Sequence, residues 1–462
     1  GIVTYYGDGS KLSGVESGLF DFVASGTIPN GQTVIITSDG KVKAVGIETG
    51  STPVFGTKAT FNTTGSSEYA CGVFDPDSNK VIIAYRVYVN GSSSDDAGYA
   101  VVGTVDSSDN SISFGTPVKF FNTLIENSAI AYDTTNDKVV ISFHKYTTGY
   151  DQRVIVGTVN GTSITFGSSV QLEGSSNANT RYVKIVFDSS NNRCVFCYRD
   201  MTSNNYYGTA RVGNISGNSI SFGTAVLFNG SNRGEWIQAT FDSSNNKVVI
   251  AFMDFGDNNH AKAVVGTVNP SNNSITFGTP VQFAAGTGSF NSPSPIGMTF
   301  DSTNNKVVIA YADYGDGEKG KAIVGTVSGT SISFGSATIF NNANTFRNVE
   351  GSAAIYDSNA EKVVIAYRDS GNSNKGTAIA GTVSGTSISF GSEVVFNSTR
   401  TYMLNVILDS TNNRFVIPFK DQDNSSAGAA IVGSFDATNL TSENYIGIAA
   451  GAISNGATGK IN

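Results

Sequence analysis

Few side chains in this sequence have the chemistry of an acid–base or nucleophilic catalyst. The chain of 462 residues contains two histidines, His144 and His260, and three cysteines. Neither histidine lies near a serine or cysteine motif, so no catalytic triad is indicated, and a zinc ion would lack ligands. Cys194 and Cys197 fall on one predicted strand with their side chains on opposite faces, which favours core positions over a disulfide.

Aspartates recur directly after one predicted strand of an internal repeat, and two of them are followed by further acidic residues. The segments "DFGDNN" and "DYGDGE" contain Asp254, Asp257, Asp313 and Asp316, whose oxygens could bind calcium. Neither segment has the D-x-D-x-D-G spacing of a calcium loop, so capping of the strand end is the favoured interpretation. We therefore expect no cofactor, with calcium as the alternative.

Three arginines, Arg86, Arg199 and Arg368, share the repeat position at the end of the same strand. The matching positions elsewhere hold His144, Met253, Ala312 and Lys420. Clustered arginines beside a paired tyrosine and carboxylate would favour a glycan-cleaving enzyme of the sialidase type, whereas Asn, Ser and Tyr without them would favour binding. Because no carboxylate pair stands out from the repeat, we predict that the chain is not an enzyme, with such a glycosidase as the alternative.

These side chains must be positioned by a repeated unit that is marked by a Phe-Gly dipeptide. Its glycines are Gly56, Gly115, Gly167, Gly223, Gly278, Gly335 and Gly391. Each repeat predicts four strands, a to d. Strands b and c are nearly continuous apolar runs, which is typical of burial on both faces, while strand d alternates. Four-stranded sheets covered on both sides stack radially, so we predict an all-β fold, a β-propeller.

The ends of the repeat array predict a closed ring. The last repeat stops after strand c, at residues 429–435, and an unaccompanied d strand occupies residues 52–61. This N-terminal strand is expected to close the last of seven blades, and a c-like pattern in "KVKAVGIE" leaves eight blades as the alternative. The predicted organisation is an N-terminal connector (residues 1–51), the propeller (52–436) and a C-terminal linker (437–462).

Each predicted a–b hairpin opens with an aspartate in a pattern close to D-S-x-N-N-K. Such an aspartate accepts backbone N–H groups two residues on, and asparagine tolerates the left-handed conformation. A structural role in the turn, rather than metal binding, is predicted for Asp75, Asp133, Asp188, Asp242, Asp301, Asp357 and Asp409. The glycine of strand c, such as Gly325, is expected to let neighbouring blades approach closely.

The connections divide between two faces of the predicted propeller. Short, uniform a–b and c–d turns form what we name the turn face, and the longer b–c and d–a loops form the loop face. The loops vary between repeats, and binding residues collect in such loops. Their aromatic side chains suit sugar rings or protein epitopes, although they could also pack the loops onto the blades. The candidate ligand-binding residues are Trp236, Tyr206, Tyr207, Tyr314, Tyr150 and Phe346.

Composition excludes two classes of partner. The net charge of −8 and the absence of a lysine or arginine run argue against nucleic acid. The apolar runs are far too short for membrane insertion. The low share of charged residues, 14%, together with 52 glycines, fits many short strands joined by tight turns.

Several segments resemble proteins of marine tailed phages, cyanophages among them. The N-terminal "GIVTYYGDGSKLSG" and "ASGTIPNGQTVIITSDGKVKAV", the repeat "NKVVIAYRD…GTVSGTSISFG" and the C-terminal "LTSENYIGIAAGAISNGATGKIN" are similar to segments of their virion structural and tail-fibre proteins. This resemblance covers essentially the whole chain, and no catalytic or binding residue carries over with it.

The resemblance implies a virion or other extracellular protein that serves structure and host recognition. Its implied partners are other virion or fibre subunits, further copies of itself in a homo-oligomer, and a host cell-surface glycan or protein. The chain ends lead us to expect one module of a longer fibre. A bacterial surface lectin or adhesin of the same fold is a further alternative.

Overall fold

The computed structural model describes residues 20–23, 33–36, 42–44, 49–89, 94–146, 151–173, 180–201, 206–286, 294–344, 353–437, 445–448 and 458–461. The chain divides into a large unit, residues 51–435, and a small unit formed by residues 1–50 with 436–462. In these described ranges no helix has the length and hydropathy needed to cross a membrane.

Strands are numbered in chain order, and repeats are numbered from the first complete one. The N-terminal strands are β1 (Phe20–Val23), β2 (Thr33–Ile36), β3 (Val42–Ala44), β4 (Thr49–Phe55) and β5 (Ala59–Asn62). Repeat 1 contains β6 (Ser66–Asp75), β7 (Lys80–Tyr88), β8 (Ala97–Asp106), β9 (Ser111–Phe114) and β10 (Val118–Phe121). Repeat 2 contains β11 (Ile125–Asp133), β12 (Lys138–Lys145), β13 (Asp151–Asn160), β14 (Ser163–Phe166) and β15 (Val170–Gln171). Repeat 3 contains β16 (Thr180–Asp188), β17 (Arg193–Asp200), β18 (Tyr207–Ser216), β19 (Ser219–Phe222) and β20 (Val226–Leu227).

The remaining repeats follow the same plan. Repeat 4 contains β21 (Gly234–Asp242), β22 (Lys247–Asp254), β23 (His260–Asn269), β24 (Ser274–Phe277) and β25 (Val281–Ala284). Repeat 5 contains β26 (Ser294–Asp301), β27 (Lys306–Asp313), β28 (Lys319–Ser328), β29 (Ser331–Phe334) and β30 (Thr338–Asn344), with a 3₁₀ turn at Tyr314–Asp316. Repeat 6 contains β31 (Ala354–Asp357), β32 (Lys362–Asp369), β33 (Lys375–Ser384), β34 (Ser387–Phe390) and β35 (Val394–Tyr402), with a 3₁₀ turn at Ser370–Asn372. Repeat 7 contains β36 (Ile407–Asp409), β37 (Arg414–Asp421) and β38 (Ala427–Ala437), and the chain continues with β39 (Tyr445–Ile448) and β40 (Thr458–Ile461).

Within each repeat, strands a, b and c form an antiparallel meander, and the predicted strand d is split into two short strands that both pair with c. The split follows the Phe-Gly dipeptide, because the neighbouring repeat touches the backbone there. A Cβ built on Gly223 would lie 1.8 Å from the carbonyl oxygen of Asn273 in the next repeat. A Cβ on Gly325 of strand c would instead meet Ile332 of its own sheet at 2.7 Å. The prediction for strand c was therefore wrong, and the Phe-Gly glycine allows the close approach.

Burial of strands b and c on both faces gives the large unit its core. In repeat 5, every residue from Val307 to Ala312 of strand b is buried. The hydrophobic clusters join neighbouring repeats, as when Val195 of repeat 3 packs in one cluster with Val248 and Ile250 of repeat 4. Sheets that cover each other in this way form a propeller, so the predicted all-β propeller is confirmed.

The N-terminal strand closes the last sheet, as the sequence predicts. Strand β38 pairs with β4 and also with β5, where Ala429 faces Thr60. Lys58 between these two strands places its Nζ 2.6 Å from a carboxylate oxygen of buried Asp421. One hydrophobic cluster then joins Phe61 to repeats 1 and 7. Seven blades, rather than eight, stays our prediction for the complete ring.

The small unit consists of two separate sheets in its described residues. Strand β1 pairs with β40, and β2 pairs with both β3 and β39. The c-like pattern around β3 was therefore misread, since β3 belongs to a sheet that contains a C-terminal strand and to no blade. Its short alternation of valine, lysine and alanine fits any half-buried strand.

Candidate functional site

Strand a carries a bulge near its loop-face end in five repeats. The bulged residue has a positive φ although it is not glycine, a conformation that bulky side chains rarely adopt. The φ values are 54° at Tyr69, 48° at Asn127, 56° at Tyr182, 51° at Trp236 and 50° at Met403. Each of these residues stands six positions before the aspartate of its a–b turn. The bulge thus fixes one side chain per repeat at the end of strand a.

Repeat 5 also has a bulge at this place, but its register shift has a different span. Pro295 occupies the equivalent position, and the proline ring holds φ at about −65°. Here the pairing register shifts across one residue, between Pro295 and Gly297. In repeat 3 it shifts across two residues, between Arg181 and Lys184.

The bulges of repeats 3 and 4 assemble an arginine-rich cluster on the loop face. We define it as Arg181, Tyr182, Arg199, Tyr206, Arg233, Glu235 and Trp236. The guanidinium of Arg199 lies 4.9 Å from the ring centroid of Tyr182 and 5.4 Å from that of Tyr206. The rings of Tyr182 and Trp236 are 5.0 Å apart and inclined by 45°. All three aromatic side chains are partly exposed, which leaves ring surface for a ligand.

Two arginines of this cluster share one buried carboxylate. Oε1 of Glu235 accepts a hydrogen bond from Nη1 of Arg199 at 2.5 Å and another from Arg233. Burial lowers the pKa of the Arg199 guanidinium, Glu235 opposes this, and Arg233 and Arg181 lower it further. With three guanidiniums and one carboxylate, the seven residues carry a charge of +2 in a chain whose formal net charge is −8.

Tyr182 remains a protonated phenol in these surroundings. Burial raises its pKa, the carboxylate of Glu235 raises it further, and the three guanidiniums partly oppose the shift. A phenol in this state donates a hydrogen bond and is a poor nucleophile. Arg233 also lies over two rings, 4.3 Å from the centroid of Phe255 and 5.1 Å from that of Tyr206. The arrangement is suited to binding.

Repeat 1 also holds an arginine between two tyrosine rings, an arrangement that we name a guanidinium sandwich. The net charge of the residues around it differs from that of the arginine-rich cluster. We define this charge-balanced cluster as Glu68, Tyr69, Arg86, Tyr88, Glu126 and Lys420. The guanidinium of Arg86 lies 4.9 Å from the ring centroid of Tyr69 and 5.4 Å from that of Tyr88. It pairs with Glu68 and stands 3.6 Å from Glu126, while Lys420 stands 3.5 Å from Glu68. Two cations face two anions.

The three arginines that share a repeat position therefore do not converge on one site. Arg86 approaches Glu126 and Arg199 approaches Glu235, each at the start of strand a in the next repeat. Arg368 lies 4.3 Å from the ring centroid of Tyr402, which ends β35 where that strand pairs with β37 of repeat 7. Lys420 continues the pattern toward Glu68. The position serves contact between repeats, and the arginines that meet Arg199 come from elsewhere, at positions 181 and 233.

The histidines and cysteines have structural surroundings. Burial lowers the pKa of His144 to about 4, and nearby Arg181 contributes, so the imidazole is neutral at pH 7. Nδ1 of His260 accepts a backbone N–H at 2.7 Å. Cys194 and Cys197 are buried in β17, and burial raises the pKa of both thiols.

Three of the predicted aromatic residues lie close together, and Tyr314 packs elsewhere. Trp236 and Tyr206 belong to the arginine-rich cluster, and Tyr207 opens β18 in a backbone bridge to Arg233. Tyr314 packs against the core of repeats 5 to 7. Tyr150 and Phe346 were also predicted, and both lie outside the described residues.

Sequence reasoning missed Arg181, Tyr182, Arg233 and Glu235 as members of a site. A signal for three of them was present, because a charged residue followed by a large side chain recurs seven and six positions before the turn aspartate. The pairs are Glu68-Tyr69, Arg181-Tyr182 and Glu235-Trp236. Arg233 carries no such signal, since its position in a d–a loop has no counterpart in the other repeats.

The four acidic residues considered for calcium are bridged by lysines. Nζ of Lys262 lies 2.9 Å from Asp254 and 2.6 Å from Asp257. Nζ of Lys321 lies 2.9 Å from Asp313 and 2.8 Å from Asp316, and hydrogen bonds from Lys321 and Lys319 lower the pKa of Asp316 to about 2. Within the described ranges, no three His, Cys, Asp or Glu side chains are grouped so as to hold a metal ion.

The turn aspartates accept hydrogen bonds from their own hairpins. Oδ1 of Asp242 accepts the backbone N–H groups of Ser244 at 3.0 Å and of Asn245 at 2.9 Å. Equivalent bonds occur at Asp75, Asp133, Asp188, Asp301, Asp357 and Asp409. The same turns also link repeats, as when the hydroxyl of Thr135 donates to Oδ1 of Asn192 at 2.6 Å. The turn-face motif therefore serves both the hairpin and the ring.

No protein-family model matches the chain, and no curated protein matches it. Among solved structures it is similar to the periplasmic gluconolactonase of Pseudomonas aeruginosa, with a TM-score of 0.50, 11% identity and coverage of 82% of this chain and 97% of that one. It is also similar to the Hadza microbial sialidase Hz136, with a TM-score of 0.47, 9% identity and coverage of 87% and 70%. A putative 6-phosphogluconolactonase from Bacteroides fragilis gives a TM-score of 0.48, 13% identity and coverage of 76% and 93%. At 11% identity the likeness to the first structure shows the fold alone. The other two structures have TM-scores below 0.5 and carry no argument.

Proposed function

We propose that this chain is a structural and recognition module of an extracellular appendage, of the phage tail-fibre type that its sequence resembles. In this proposal the loop face binds a glycan on a host cell surface. The observation that carries it is the arginine-rich cluster, in which partly exposed aromatic rings and guanidiniums meet where the most varied loops join the sheets. Residues held at the ends of rigid strands keep their geometry for a ligand.

The cluster offers both kinds of contact that a sugar needs. Tyr182 and Trp236 present large rigid rings whose apolar faces can cover the C–H groups of a sugar at low entropic cost. Arg233 and the phenol of Tyr182 are hydrogen-bond donors for hydroxyl oxygens. A single shallow site of this kind binds weakly, so attachment depends on several copies. A homo-oligomer with other fibre subunits on the virion supplies that multivalency.

A glycan array tests this proposal directly. The fluorescently labelled chain is applied to immobilised bacterial and algal oligosaccharides, together with Trp236→Ala and the control Ser331→Ala. Ser331 is exposed on the turn face, so its substitution leaves the loop face intact. We expect the unaltered chain and the control to bind a shared set of glycans and Trp236→Ala to lose them. Absence of binding to any glycan, or equal binding by Trp236→Ala, contradicts the proposal.

A glycan-cleaving enzyme is a second candidate, favoured by one specific observation. Arginines, Tyr182 and Glu235 lie together in the arginine-rich cluster, which is the combination expected of a sialidase-type site. Against it, Glu235 is held by two guanidiniums and Tyr182 keeps its proton. Incubation of the bound glycans followed by mass spectrometry of released sugars decides between binding and cleavage. Release that is abolished by Glu235→Gln supports the enzyme.

A further inference from the structure

We propose that the arginine-rich cluster recognises the anionic group of an acidic sugar, a carboxylate or a sulfate. This inference rests on the proposed glycan-binding function and names the chemical class of its ligand. It is carried by the charge of this cluster, the exposure of its guanidiniums and the position of its aromatic rings.

The charge of the cluster favours an anionic ligand. The cluster holds three guanidiniums, and its only carboxylate, that of Glu235, is buried and bonded to Arg199 and Arg233. The side chain of Arg233 is 30% exposed, and Arg181 is exposed as well. Guanidinium groups bind carboxylate and sulfate oxygens through paired hydrogen bonds. Two exposed guanidiniums thus retain donors for an anion on the surface of an otherwise acidic chain.

The aromatic rings of the cluster lie beside its guanidiniums. Tyr182, Tyr206 and Trp236 have φ values of 56°, 58° and 51°, which side chains of this size rarely adopt. For Tyr182 and Trp236 this geometry belongs to the strand-a bulge, which also occurs at Tyr69 of the charge-balanced cluster. Here it sets the rings of Tyr182 and Trp236 beside the guanidiniums, so that a sugar ring on the aromatic surface brings its acidic substituent within reach of Arg233.

The charge-balanced cluster is the internal reference for this reasoning. It repeats the guanidinium sandwich with the same ring distances, 4.9 and 5.4 Å. There the cations Arg86 and Lys420 face Glu68 and Glu126. A group of residues with no net charge offers an anion no net electrostatic attraction. The excess charge at repeats 3 and 4 is therefore not a requirement of the sandwich.

The test compares charged sugars with uncharged counterparts of the same shape. The probes are trigalacturonate against its methyl ester, sialyllactose against lactose, and a sulfated galactose oligosaccharide against the unsulfated one. Calorimetry is performed with the unaltered chain, Arg233→Gln, Arg181→Gln and the control Arg400→Gln. Arg400 forms an exposed ion pair with Asp423 on the loop face of another repeat, so it matches the loss of charge.

We expect at least one charged probe to bind about tenfold more tightly than its counterpart, a preference of about 1.4 kcal/mol. Arg233→Gln and Arg181→Gln abolish this preference, the control keeps it, and added salt weakens it because exposed charges are screened. Melting curves confirm that each variant is folded, and exposed Arg181 provides a second variant if Arg233→Gln unfolds.

Two results overturn the inference and leave the proposed function standing. One is binding of glycans on the array with no preference for any charged probe. The other is a preference that Arg233→Gln and Arg181→Gln both retain. If neither the array nor any probe shows binding, the proposed function fails and the inference fails with it.

Discussion

The two guanidinium sandwiches of the loop face have the same geometry and different charge. Arg86 and Arg199 lie between tyrosine rings at identical centroid distances. Arg86 is surrounded by two glutamates and a second cation, whereas Arg199 shares its one glutamate with a further arginine. The repeat thus fixes where the side chains go, and substitutions at the strand ends decide whether a sandwich stabilises the ring or attracts a ligand.

The largest expected effect comes from removing the central arginine of each cluster. Arg86→Met leaves Glu68 and Glu126 poorly compensated in a mostly buried place and is expected to cost about 3 kcal/mol of unfolding free energy. Arg199→Met leaves Glu235 paired with Arg233, so its cost should be about half as large. Denaturant unfolding measures both. Equal costs would show that the two sandwiches contribute alike to stability.

Acidification is expected to have the next largest effect on stability. The group responsible is His144 of repeat 2, which lies between the repeats that carry the two clusters. The pKa of this imidazole is lowered to about 4 by burial and by Arg181, so the folded state binds fewer protons than the unfolded state below pH 6.5. Stability contributed by the neutral imidazole is therefore complete above pH 6.5 and is lost as the pH falls toward 4. The loss is on the order of 2–3 kcal/mol.

Melting temperatures measured from pH 7 to pH 4 check this dependence. His144→Gln should flatten the curve, because it removes the titrating group. Arg181→Gln should make the loss smaller, because it removes a cation that disfavours the imidazolium and so brings the folded-state pKa of His144 closer to the unfolded value. An unchanged curve in His144→Gln would assign the acid sensitivity to another group.

Removal of an aromatic ring should affect glycan affinity in one cluster and not in the other, a sharper difference than the one expected for stability. Trp236→Ala removes a ring of the arginine-rich cluster and is expected to weaken glycan binding by about 2 kcal/mol or more. Tyr69→Ala removes the ring at the equivalent bulge of repeat 1 and should leave binding unchanged. The measurement is calorimetry with the best glycan of the array. Equal losses would place the ligand on both clusters.

The smallest expected effect is a gain of function in the charge-balanced cluster. Glu126→Gln leaves Arg86 and Lys420 facing a single carboxylate, which gives the group an excess positive charge. We expect weak affinity for trigalacturonate to appear in a variant that also lacks the native site through Arg233→Gln. The gain should be small, since the side chains of Arg86 and Lys420 are only 10% and 12% exposed and offer few donors to a ligand. No gain would show that charge alone does not make this sandwich a binding site.

Much of the fold could be predicted because its signals are local. The alternation of apolar residues, the Phe-Gly spacing and the aspartate of each hairpin act within one repeat, and the unpaired d strand at residues 52–61 indicated closure. The positive-φ bulge was not predicted, since an inserted residue changes the pairing register without changing the apolar pattern. The site was predicted in part, through Trp236, Tyr206 and Tyr207. Arg199 was singled out by its repeat position, whereas Arg181 and Arg233 were missed, because the contact between repeats 3 and 4 that brings the three together is not revealed by spacing within one repeat.

The closing strand also determines how the molecule would carry a mechanical load. The chain enters the propeller through β4 and leaves it through β38, and these two strands are hydrogen-bonded neighbours in one sheet. A force applied to the two chain ends therefore acts on the hydrogen bonds between β4 and β38. These bonds would break one after another, starting from the outer end of the strand pair. The other repeats lie outside this path of force. The arginine-rich cluster, in repeats 3 and 4, would keep its geometry under tension until that strand pair opens.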